Sequence, residues 1–140
     1  MNLKKPQLKL PTDRAVIECI FEKYKETFAS FEAEKNRSSK VYVPIDCKAI
    51  ADELKTEGDI VFGRLYYHLE KKYGYEQPNG TKVAFFTLGV GTDPKCVNFP
   101  LLASVLAGMR EEQQRHLSAT VIAVVALVVS VASLAVSMVK

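Results

Sequence analysis

DCKAIADELKTEGDIVFGRLYYHLEKKYGYEQPNGTKVAFF, residues 46–86, is the stretch on which the fold turns. Asp46 is a helix N-cap residue, and it predicts a helix over Cys47–Lys55 with Ala49, Ile50 and Leu54 facing inward. Thr56, Glu57 and Gly58 make a turn. Asp59 caps a further helix over Ile60–Tyr73. On that helix Phe62, Leu65, Tyr66, Leu69 and Tyr73 share one arc, and Ile60, Arg64, Tyr67, His68 and Lys71 share the opposite one. The neighbours Tyr66 and Tyr67 therefore read as one core ring and one outward ring. Gly74 stands where a left-handed helix end is wanted. A hairpin follows: YGYEQ, a PNGT turn whose Asn79-Gly80 suits a type I′ geometry, and KVAFFTLGV up to Val90.

Moving toward the N-terminus, VYVPI (41–45) is β-prone, and Pro44 confines it to a sheet edge. Before it, KNRSSK breaks a helix predicted from a Thr12 or Asp13 cap to about Glu34. Val16, Ile17, Ile20, Phe21, Tyr24, Phe28 and Phe31 recur there at three- and four-residue steps. Residues 1–12 form a basic arm with Lys4, Lys5 and Lys9, in which Pro6 and Pro11 block a helix.

Helix, short strand, helix, tight turn, helix, two-stranded hairpin is an α+β order that resembles the winged helix-turn-helix superfamily over residues 13–90. The resemblance implies a third helix that enters a DNA major groove and a wing that touches the backbone. By position it nominates Arg64, Tyr67, His68 and Lys71 toward the groove, with Lys72 and the wing residue Lys82 toward phosphates. Winged helices also bind proteins, so a protein partner stands as the alternative. Residues 1–99 carry 16 Lys+Arg against 14 Asp+Glu. That balance lacks the strongly basic footprint of a dedicated DNA binder.

Beyond the hairpin, residues 91–99 (GTDPKCVNF) read as a linker, because Gly and Pro argue against regular structure. Asn98 and Pro100 then open a helix over 100–116, with Leu101, Leu102, Val105, Leu106 and Met109 on one face and REEQQRH as a polar collar. Gly108 is its weak point. LSATVIAVVALVVSVASLAVSMV (117–139) follows without a charge, Pro or Gly. At ~1.5 Å per residue it reaches about 34 Å, enough to cross a ~30 Å hydrocarbon core. The expected topology is a single-pass tail anchor. Arg110, Arg115 and His116 before the span place the N-terminal domain on the cytoplasmic side. The odd, widely spaced Cys19, Cys47 and Cys96 fit reduced thiols there.

Ala119, Ala123, Ala126, Ser130, Ser133 and Ser137 form a small-residue seam at alternating four- and three-residue steps. In lipid, close backbone approach and Ser hydroxyls reaching across such a seam favour a homo-oligomer. No GxSxG, P-loop, HExxH or paired-Cys spacing is present, so no enzyme, metal or cofactor is expected. The expected function is a membrane-tethered DNA-binding regulator. A membrane adaptor or effector whose winged helix binds a protein is the alternative. Membrane lipid is a partner in both.

Overall fold

A computed structural model describes residues 8–139, so Lys4, Lys5 and Pro6 of the expected arm lie outside the described residues. The chain is mixed helix and strand and divides into two compact units that part after Leu106.

The first unit opens with α1 (Asp13–Ala29), whose Thr12 cap accepts from the Ala15 N–H at 3.1 Å. The expected helix to Glu34 is interrupted at Ser30, and α2 (Phe31–Glu34) is a single turn. Val16, Ile17 and Ile20 are fully buried. Arg37, from the stretch read only as a breaker, holds this corner together. Its guanidinium donates to the carbonyls of Thr27, Phe28, Ser39 and Lys40 at 3.0–3.4 Å and lies 4.7 Å over the Phe31 ring. It thereby adds a charged donor to carbonyls at the end of α1 and ties them to the segment before β1. Desolvation lowers its pKa from the usual arginine value.

β1 (Tyr42–Pro44) precedes α3 (Cys47–Leu54), capped as expected by Asp46, which accepts from Lys48 N and Ala49 N. The turn that follows is made by Lys55, in the left-handed region at φ 56°. The next helix begins earlier than expected, at Gly58, and Asp59 does not cap it. α4 (Gly58–Gly63), a π-helical stretch (Arg64–Leu69) and α5 (Glu70–Tyr73) run on as one rod. Val61, Leu65 and Leu69, all fully buried, stand at strict four-residue steps. Each such step overshoots a 3.6-residue turn by about 40°, so the three lie within an arc of about 80° and face the core together.

Two corrections concern the sheet. The hairpin predicted over residues 73–90 is only β2 (Tyr75–Glu76) paired with β3 (Lys82–Val83). The chain then changes partner: β4 (Phe86–Val90) pairs with β5 (Asp93–Asn98), which also pairs with β1, giving the order β1-β5-β4. The residues expected as a linker thus form the central strand. Pro94 is tolerated because it lies opposite Gly89, beyond the reach of β1, whose pairing ends at Pro44↔Cys96. There β5 has one neighbour, and a missing N–H costs nothing. Gly91, at φ +59°, turns the β4–β5 hairpin in the left-handed region that other residues avoid. Pro44 is on the edge strand, as expected.

Asn98 caps the last helix through Leu101 N at 3.2 Å. That helix, α6 (Phe99–Val139), has 41 residues, a length of roughly 60 Å, and passes Gly108 unbroken. Its first two turns belong to the first unit. Phe99, Leu102 and Leu106 are buried, and the Phe99 ring stacks on Phe21 and Phe28 of α1 at 5.6 and 4.8 Å. The second unit, from Ala107, is a lone helix exposed along nearly all its length. It is long and apolar enough to cross a membrane, with a mean hydropathy of 2.7 in its most apolar window and none of that window buried.

Candidate functional site

The rod positions the residues nominated from sequence. Its surface resolves into strips at four-residue steps. Phe62, Tyr66 and Glu70 flank the buried row on one side. Arg64, His68 and Lys72 flank it on the other. Gly63, Tyr67 and Lys71 lie between, facing away from the core.

The basic strip is already engaged. Asp13, at the start of α1, lies 2.7 Å from Arg64 Nη2, 3.1 Å from His68 Nε2 and 3.3 Å from Lys72 Nζ. The Asp13 side chain is only 15% exposed. Burial by itself would raise its pKa. The hydrogen bonds from His68 and Lys72 and the charge of Arg64 outweigh that and hold it below the ordinary 3.8. The match is imperfect: Arg64 Nε is buried without an acceptor, and Asp13 Oδ1 meets Arg64 Nη2 at 2.7 Å as an ion pair without good hydrogen-bond geometry. Three basic side chains therefore converge on one carboxylate.

Glu70 is turned inward. Its Oε2 accepts from the N–H groups of Phe85 and Phe86, each at 2.7 Å, and Lys82 Nζ lies 3.8 Å from its other oxygen. This contact fixes the entry of β4 against the rod. It also explains Gly74, which is extended at φ −66° and not in the left-handed region expected of it. A Cβ there would lie 2.6 Å from both the Glu70 carbonyl oxygen and Oε1.

The outward strip is aromatic. Tyr66, expected in the core, is 41% exposed, and Tyr67 is 72% exposed. Their rings meet edge to face at 4.9 Å, where adjacent positions of an α-helix would diverge, and Tyr66 stacks on Phe62 at 5.4 Å. Lys95 Nζ, from β5, lies 5.5 Å over the Phe62 ring. Phe62 and Lys95 also line an open cleft of about 800 Å³ together with Asp46, Lys48, Asp52 and the turn from Thr56 to Asp59.

Of the six nominated residues, the structure brings Arg64, His68 and Lys72 together around Asp13. It leaves Tyr67 and Lys71 outward and seats Lys82 beside Glu70. Sequence reading missed Asp13 and Glu70 as their partners, because each contact joins elements far apart in the chain. Glu53, on the exposed side of α3, accepts from Cys19 Sγ at 3.0 Å and Lys23 Nζ at 2.9 Å and ties α3 to α1. Burial, then the Glu53 carboxylate, pushes the Cys19 thiol up to about 12.

On the second unit, Ala119 and Ala123 line a shallow apolar groove with His116, Thr120, Val124 and Leu127. The Ser130 hydroxyl donates to the Ala126 carbonyl of its own helix at 2.9 Å, and Thr120 does the same to His116. Among the described residues no group of three or more His, Cys, Asp or Glu could hold a metal ion. No protein-family model, curated protein or solved structure matches the chain.

Proposed function

We propose that this chain is a single-pass membrane protein whose first unit is a docking module on the cytoplasmic side, binding a protein partner through the α4–α5 rod. The observation that carries the reading is the division of labour on the rod. Arg64, His68 and Lys72 are held by Asp13, while the strip facing solvent offers Tyr67, Tyr66 and Lys71. A duplex reader needs its cations free for phosphates and base edges. Exposed Tyr rings with few degrees of freedom are what protein interfaces favour.

The winged-helix reading is kept with a different wing. α1, β1, α3, the Lys55 turn and the rod follow the expected order, and β4–β5 supplies the hairpin that closes it. β2–β3 is then an extra hairpin inserted before the wing. The membrane reading is supported by the uncharged stretch 117–139. Its Thr120 and Ser130 hydroxyls are satisfied within the helix, as lipid demands. Association of these helices along the seam from Ala119 to Ser137 belongs to the same proposal.

Membrane-tethered duplex binding is the second reading, favoured by the three permanent cations Arg64, Lys71 and Lys72 on one rod. The test uses the full-length chain. It should sediment with membranes through an alkaline wash. A photo-crosslinking residue at position 67 should capture a protein that the same residue at position 25, on α1, does not. A soluble chain removes the anchor. Duplex binding at low salt with no crosslink at 67 returns the DNA reading.

A further inference from the structure

The rod carries a charge signature that specifies its partner. Arg64, Lys71 and Lys72 are permanent cations within nine residues, with His68 among them. The acids nearest to them are spent elsewhere. Glu70 is committed to two backbone N–H groups, and Asp13 is shared among three basic side chains. One carboxylate cannot balance that strip, and its fit is incomplete. Arg64 Nε is buried and finds no acceptor, although Nη2 of the same guanidinium is 2.7 Å from Asp13 Oδ1. A guanidinium presents Nε and one Nη as a fork that suits both oxygens of a carboxylate. Asp13 engages only one side of it. Directly beside the cations lie the exposed rings of Tyr66 and Tyr67.

We propose that the rod binds an acidic protein segment that also carries an aromatic or aliphatic side chain. Its carboxylate takes Lys71, the cation of the rod that Asp13 does not hold, and its apolar side chain packs on Tyr67 and Tyr66. Asp13 is an internal carboxylate that lowers the positive charge the incoming segment meets. This rests on the docking reading above and narrows it to one chemistry. The charge steers the encounter, and the rings supply the desolvated contact that holds it.

The test uses the full-length chain in phosphatidylcholine nanodiscs and three fluorescent probes. They are a peptide of Glu, Phe and Gly roughly 12 residues long, the same peptide with every Glu replaced by Gln, and a short duplex DNA. The Glu peptide should bind at least about tenfold more tightly than the Gln peptide, and the advantage should shrink as salt is raised. Asp13→Asn removes that internal negative charge and should tighten the Glu peptide by about threefold or more. Tyr67→Ala and Lys71→Gln should each weaken it by about fivefold. Both positions are exposed, so these variants decide the matter if Asp13→Asn does not fold. Equal affinity for the Glu and Gln peptides overturns the proposal, as does duplex binding that exceeds the peptide and survives Tyr67→Ala. A crosslink at position 67 alongside equal Glu and Gln binding leaves the docking reading standing and sinks only its acidic specificity.

Discussion

The Glu70 carboxylate occupies the space that a side chain at Gly74 would need: a Cβ at that position would sit 2.6 Å from Glu70 Oε1. Glycine at 74 is thus required by the Glu70 residue one helical turn earlier, through its carbonyl oxygen, also 2.6 Å away, as well as its carboxylate, and not by backbone handedness. Displacing Glu70 would strip the Phe85 and Phe86 N–H groups of their acceptor. Gly74→Ala should cost roughly 2–3 kcal/mol, the scale of leaving buried donors unmet, and lower the thermal midpoint by about 10 °C or more. Glu70→Gln should lose a similar amount. The double variant should lose much less than the sum, since both act on one contact. Additive losses in thermal melts would show that the two residues are independent.

The Asp13 cluster carries a pH signature with a definite sign. Its folded pKa is depressed, so its contribution to stability is fully present above the ordinary 3.8 of a free aspartate. It is lost as pH falls below that value toward the folded pKa, where the carboxylate takes up a proton and releases Arg64, His68 and Lys72. Asp13→Asn removes the titrating group. The urea midpoint of the parent should exceed that of the variant at pH 5–7, and the gap should close as the solution is taken below about pH 3.8. A gap that stays constant down to pH 2 would mean that Asp13 acts through shape and not charge.

What could be read from the sequence was what is local. Thr12, Asp46 and Asn98 cap their helices through bonds spanning two or three residues, and Val16, Ile17 and Ile20 declare their face by spacing. Misreadings arose where a rule about one residue met a distant partner. Pro94 argued against a strand, yet it sits where β5 has one neighbour. Tyr66 fell at the edge of the arc read as buried, and the row of Val61, Leu65 and Leu69 that faces the core leaves it 41% exposed. Of the site, Tyr67 and Lys71 were legible as outward residues. The roles of Asp13 and Glu70 depend on how α1 and β4 pack against the rod, which no local pattern records.

Cys19 should be inert despite its partial exposure. With a pKa of about 12, its thiolate fraction at pH 8 is on the order of one in ten thousand, against about a quarter for a free thiol. Iodoacetamide should modify it at least about a hundredfold more slowly than a model thiol. Glu53→Gln removes the acceptor and the nearby negative charge that, after burial, hold the thiol up. It should speed alkylation by about tenfold, read by peptide mass spectrometry. A parent rate near that of a free thiol would refute the Cys19–Glu53 contact.

If the second unit spans a bilayer and associates as proposed, its seam separates two ways in which helices meet in lipid. Hydroxyls that reach across and small side chains that let backbones approach are both available in principle. Ser130 donates its proton to Ala126 of its own helix, so its hydroxyl is not free to donate to a neighbour. Close approach over Ala119 and Ala123, which line the shallow groove, is left as the main term. In a bilayer energy-transfer assay on the full-length chain, Ser130→Ala should change association by less than about twofold, near the lower end of interhelical hydrogen-bond energies. Ala123→Ile fills the groove with a branched side chain and should reduce association by about tenfold. Val128, off the seam, serves as the control, and Val128→Ile should have no effect. If Ser130→Ala dissociates the assembly while Ala123→Ile does not, hydroxyl pairing holds the helices together and the small residues are incidental.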